Sequence, residues 1–64
     1  MTHDTTMQIA KYSTDEKRGN ALEALMDYWH VTNLANISEE MGLEFLGKLQ
    51  RGEIRIYNEI ATED

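Results

Sequence analysis

Met7-Gln8-Ile9-Ala10-Lys11-Tyr12 is the stretch on which the fold turns, because its apolar residues can be read with either a strand or a helix period. Met7 and Ile9 alternate with Gln8, which is the period-two pattern of a half-buried strand and predicts a short β-strand over 7–12. The polar residues 1–6 before it are expected to be disordered.

Downstream, Ser13-Thr14-Asp15-Glu16 matches the capping box, in which the Ser hydroxyl takes the N3 amide and the Glu carboxylate reaches back to the cap. This predicts a helix over 14–30. Leu22, Leu25, Met26 and Trp29 recur at i, i+3, i+4 and i+7 as one apolar stripe. The β-branched pair Val31-Thr32 and then Asn33 end it. Ser38 is a second N-cap, followed by Glu39 and Glu40 at the positive end of the next helix dipole. Met41, Phe45 and Leu49, with Leu46, form its apolar face, and Glu44 precedes Lys48 at the favourable i, i+4 spacing. Gly52 after Arg51 is a good C′ residue. Ile54, Ile56 and Ile60 then alternate with Arg55, Tyr57 and Glu59, which predicts a terminal strand, and 61–64 is an acidic tail.

The expected architecture is therefore a small single α+β domain over 7–60. Its order is strand-helix-helix-strand, with two main helices and either a short two-stranded sheet or strands paired across a dimer. The expected core is Ile9, Leu22, Leu25, Met26, Trp29, Leu34, Ile37, Phe45, Leu46, Leu49, Ile54 and Ile56.

Sixty-four residues with twelve acids against six Lys and Arg carry a formal charge of −6, with no Cys and no Pro. Without Cys there is no disulfide, thiolate zinc site or cysteine nucleophile, which points to a reducing compartment. No apolar run approaches the roughly 20 residues that span a bilayer. The start, Met1-Thr2-His3-Asp4-Thr5-Thr6, lacks the basic-then-apolar order of a signal peptide, so a cytoplasmic protein with no membrane contact is expected. A catalytic cleft rarely fits in so short a chain, so neither an enzyme nor a cofactor is expected. His30, three residues after Asp27, could share a helical face with it as base and orienter or as metal ligands, yet no third group has fitting spacing. A His favourably placed near a helix C-terminus is the simpler account, and no catalytic or metal residue is assigned.

Two stretches resemble nucleic-acid-binding motifs despite the negative charge. Leu34 to Leu43 resembles the first helix and turn of a helix-turn-helix, with Gly42 at the turn. A strand at 7–12 before two helices has the layout of a ribbon-helix-helix dimer. Both read as dimeric DNA-binding repressors, but Lys11, Lys17 and Arg18 are the only basic residues in the N-terminal half, a thin footprint for phosphate.

Acids spread along the chain instead repel phosphate and attract basic clefts. The stronger reading is a small acidic interaction module, an inhibitor or adaptor occupying a basic surface of a larger, nucleic-acid-handling protein, in places imitating DNA. Inhibitors encoded by phages and mobile elements, including the anti-CRISPR and anti-restriction classes, often have this size and charge, which is an analogy of class. The expected partner-binding residues are Glu16, Glu23, Asp27, Glu40 and Glu44, with Tyr28 as an aromatic anchor. Because two strands and two helices leave Ile54, Ile56 and Ile60 poorly covered, a homodimer or a partner-dependent fold is expected. Sedimentation in the analytical ultracentrifuge checks this; a cooperative, concentration-independent melt from a 7.4 kDa monomer would contradict it.

Overall fold

The computed structural model describes residues 1–56. Among them lie three α-helices, α1 (His3–Ala10), α2 (Asn20–Trp29) and α3 (Glu39–Arg51), with one 3-10 turn at Leu34–Asn36 between the last two. No strand occurs among the described residues, so the expected strand-helix-helix-strand α+β fold is replaced by an all-helical one. Ile54 and Ile56, expected on a terminal strand, pack as irregular chain against the core, and the rest of that stretch and the acidic tail lie outside the described residues.

The correction begins at the first stretch. Thr2, in extended conformation, caps α1: its hydroxyl accepts the Thr5 amide at 3.2 Å, and Asp4 sits in the first turn. Residues 1–6 thus form a cap and helical turns. In a helix the buried positions are Thr5, Ile9 and Ala10, at i, i+4 and i+5, whereas Met7 points to the far side and is 45% exposed. Met7 and Ile9, paired on one strand face by the alternating reading, end on opposite sides. The ribbon-helix-helix layout loses its strand with this change.

The expected capping box does not form either. The Ser13 amide already donates to the Ala10 carbonyl, so Glu16 has nothing to reach back to, and it stays exposed. The Ser13 hydroxyl instead accepts the Ala21 amide at 3.1 Å, and the Asp15 carboxylate takes the Gly19 and Asn20 amides at 2.9 and 3.1 Å. These three contacts satisfy the first N–H groups of a helix that starts at Asn20, six residues later than its sequence predicts. Arg18, in the left-handed region at φ 57°, turns the loop into it.

The helix end at 30 is a Schellman turn. His30 is left-handed at φ 58°, its amide donates to Asp27, and the Val31 amide donates back to the Met26 carbonyl. At the start of α3, Ser38 accepts the Met41 amide at 3.2 Å as expected, and Gly52 at φ 80° ends the helix. Gly42 lies inside α3 and is buried, so it is no helix-turn-helix turn. The absence of a Cβ lets the Met1 side chain lie where one would sit, with Thr5 of α1 in contact beside it.

α1 packs against both other helices. Ile9, Leu25, Ile37 and Phe45 are the large side chains fully removed from water, joined by Ala21, Leu46 and Leu49. The remaining expected core residues, Leu22, Met26, Trp29, Leu34, Ile54 and Ile56, pack around them half-buried. Truncating Phe45 to Ala should cost about 3–5 kcal/mol, close to the whole stability of a domain this small. His30→Gly should raise stability by about 0.5–1 kcal/mol by removing the left-handed penalty of a residue with a Cβ. Thermal and urea melts followed by circular dichroism measure both.

Candidate docking surface

The acids divide into two groups by what they touch. Asp15 caps α2, as above. Asp4 accepts from the Gln8 amide at 3.0 Å, and Glu53 accepts from Arg51 at 2.7 Å and Lys48 at 3.4 Å. Glu39 reaches across to α1: one carboxylate oxygen accepts the Thr2 amide at 2.7 Å, and the other accepts the Thr5 hydroxyl at 2.6 Å. The Thr2 hydroxyl donates to Thr5 at 3.0 Å, a better contact than its 3.5 Å approach to Glu39, so hydroxyl, hydroxyl and carboxylate form a relay.

Hydrogen bonding to the charged form depresses a carboxyl pKa. The Thr5 hydroxyl, and then the Thr2 amide, hold Glu39 below the usual carboxylate range. Arg51, and then Lys48, do the same for Glu53, and the Glu53 hydrogen bond raises Arg51 in return. Both acids are depressed, so each stabilises the fold above its ordinary pKa and loses that contribution as pH falls through its lowered value. The pairs on Glu53 are solvent-exposed and contribute little.

The second group is Glu16, Glu23, Asp27, Glu40 and Glu44. All are exposed, and none of their carboxylates makes a hydrogen bond or ion pair among the described residues. Glu23 and Asp27 share the face of α2 opposite Ala21 and Leu25, and Glu40 and Glu44 share the face of α3 opposite Phe45, Leu46 and Leu49. Each stripe therefore faces solvent on its own helix. The expected Glu44–Lys48 pair does not form, because Lys48 turns to Glu53. α2 carries no Lys or Arg, so its acidic stripe is uninterrupted, whereas Glu16 shares its loop with Lys17 and Arg18 and its field is locally cancelled.

Tyr28 is 39% exposed at the edge of α2. Its ring meets Trp29 edge-on at 5.0 Å and tilts over Phe45 at 5.5 Å, which ties α2 to α3 and fixes the exposed ring in place. The Trp29 indole N–H is enclosed with no acceptor among the described residues. An open groove between α1 and the end of α3, lined by Asp4, Gln8, Lys11, Tyr12 and Gln50, offers mixed polar groups with no nucleophile–base pair. His30 is exposed at the end of α2, and among the described residues no group of three or more His, Asp or Glu could hold a metal ion. No helix among them is long and apolar enough to cross a membrane.

In comparison with known proteins, the chain matches no family model, and no curated protein or solved structure is significantly similar to it.

The residue missed by sequence reasoning is Glu39. A Thr cap at Thr2, Asp4 in the turn after it and Thr5 and Ile9 at i, i+4 were the available signs that a helix lay opposite it. The two groups should respond differently to substitution. Glu23→Gln, Asp27→Gln, Glu40→Gln and Glu44→Gln should each change stability by no more than about 0.5 kcal/mol. Glu39→Gln and Asp15→Ala should clearly lower the midpoint in the same thermal melts.

Proposed function

We propose that the protein is a non-catalytic interaction module that acts in the cytoplasm as an inhibitor or adaptor. It occupies a basic surface of a larger, nucleic-acid-handling protein, without a cofactor. The observation that carries this reading is the set of unpaired, exposed carboxylates on the solvent faces of α2 and α3, beside a rigidly held Tyr28. Asp15 and Glu39 cap a helix or tie two together; Glu16 and the four carboxylates on α2 and α3 have no such task and are charges free to meet a partner.

At i, i+4 spacing each stripe presents negative charges about 6 Å apart along its helix, a regular array that guanidinium and ammonium groups can engage much as they engage a phosphate chain. Tyr28 supplies a flat surface on which an Arg can stack. Glu16, flanked by two cations, contributes least. Long-range attraction sets the association rate and gives it strong salt dependence, while the residues that become desolvated against a partner charge set the lifetime.

The test is capture from host lysate at low and high salt, followed by titration calorimetry of the captured protein. Glu23→Lys/Asp27→Lys and Glu40→Lys/Glu44→Lys should each weaken binding about tenfold or more, since losing one member of a desolvated charge pair costs about 2–5 kcal/mol. Parent affinity should fall as salt rises. Parental affinity in both double variants, or micromolar binding of duplex DNA by the parent, would overturn the reading.

A further inference from the structure

The acid-to-helix contact between α3 and α1 differs from every other capping interaction among the described residues, because it joins residues 34 and 37 positions apart. α1 has eight residues, well under the roughly 12–15 at which an isolated helix becomes even marginally stable in water, so it is helical only while docked. Its apolar hold on the rest of the protein is narrow. Ile9 is its one large buried side chain; Thr5 is buried and polar, Ala10 is small, and Met7 faces water. Its N-terminal turn is fixed by Glu39 and by the Met1 ammonium, which donates to the Ile37 carbonyl at 3.2 Å.

We propose that α1 is a separately releasable element and that the Glu39 carboxylate is its latch. Ionised, the carboxylate accepts from the Thr2 amide and the Thr5 hydroxyl together; protonated, it loses acceptor capacity and the charge that favours the helix N-terminus. The first turn of α1 then frays, and Thr5 is left buried beside a weakened acceptor. Release swings on the loop at 11–19, where the Asp15 carboxylate holds the Gly19 and Asn20 amides at the start of α2 without touching α1. It uncovers the site filled by Ile9 against the α2 and α3 core.

The charges around the latch permit this sense of response. On α1 the Met1 ammonium acts on Glu39 and favours its ionised form, while His3 is exposed and Asp4 is engaged with Gln8. On α3 the neighbouring Glu40 is exposed and unpaired. Hydrogen bonds from α1 keep Glu39 ionised below the usual carboxylate range. The latch therefore holds at neutral pH and lets go as pH falls through that lowered value, the sign expected of a depressed acid.

Native-state hydrogen exchange resolved by residue tests the proposal in the full chain, with Ile9 and Ala10 reporting α1, Leu25 and Met26 reporting α2, and Leu46 and Leu49 reporting α3. At neutral pH, Glu39→Gln should lower the protection factors of Ile9 and Ala10 several-fold while leaving those of α2 and α3 unchanged, and Glu40→Gln should change neither. In the parent, α1 protection should fall in acid with the same midpoint as the Glu39 carboxyl carbon shift, at a pH where α2 and α3 remain protected. That acid step should be missing from Glu39→Gln. Should α1 lose protection only together with α2 and α3, or should the acid step persist in Glu39→Gln, α1 is not a separate element latched by Glu39. The parent titration decides the matter even if the variant fails to fold.

Discussion

One carboxylate, that of Glu39, converts a run of polar residues into the first helix of the bundle. Thr2, Thr5 and Glu39 are far apart in sequence, yet each satisfies a need of another: the Thr2 amide is an orphan donor at a helix start, the Thr5 hydroxyl is buried, and the Glu39 charge sits at the entrance of α3 beside the ammonium of Met1. Once those three are joined, Ile9 is carried into the gap between α2 and α3. Gly42 lies beside the same arrangement, where the absence of a Cβ leaves room for the Met1 side chain.

The interior that results is small and aromatic-edged. α2 and α3 meet through Tyr28 and Phe45, with Trp29 braced against Tyr28, so aromatic rings join these helices while α1 closes against both with Ile9 between the smaller Thr5 and Ala10. Such a division leaves the outer faces of α2 and α3 free of structural duty. Their carboxylates are available because the interior is held together by other groups.

Much of α2 and α3 was legible in the sequence, for a physical reason: their apolar residues repeat often enough to define a face, and Ser38 and Gly52 mark boundaries by local backbone chemistry alone. Leu25, Phe45, Leu46 and Leu49 could be assigned to the core from that periodicity, whereas Ile9 reaches it through the strand reading of its segment. α1 was not legible, because eight residues with one large buried side chain carry too little periodicity to separate helix from strand, and the group that favours helix lies in α3. The late start of α2 was hidden for a similar reason. Ser13 has the composition of a cap, but its amide is taken by the preceding helix, a fact that follows only when 7–12 is helical. One misread period therefore produced both errors, along with the strand on which the ribbon-helix-helix layout depended. The free carboxylates were nominated by their repeat along each helix, whereas the separate role of Glu39 needed the third dimension.

The sequence separation of this contact also has a consequence for the growing chain. Synthesis delivers Thr2 and Thr5 some thirty-five residues before Glu39, so α1 leaves the ribosome without the acceptor that holds its first turn. The nascent segment must travel as unstructured chain until the start of α3 has emerged. Its alternating residues at 7–12, the same ones that suit a strand, are then exposed to whatever edge or chaperone they meet first. In synthesis, the segment that becomes α1 is made before the group that orders it.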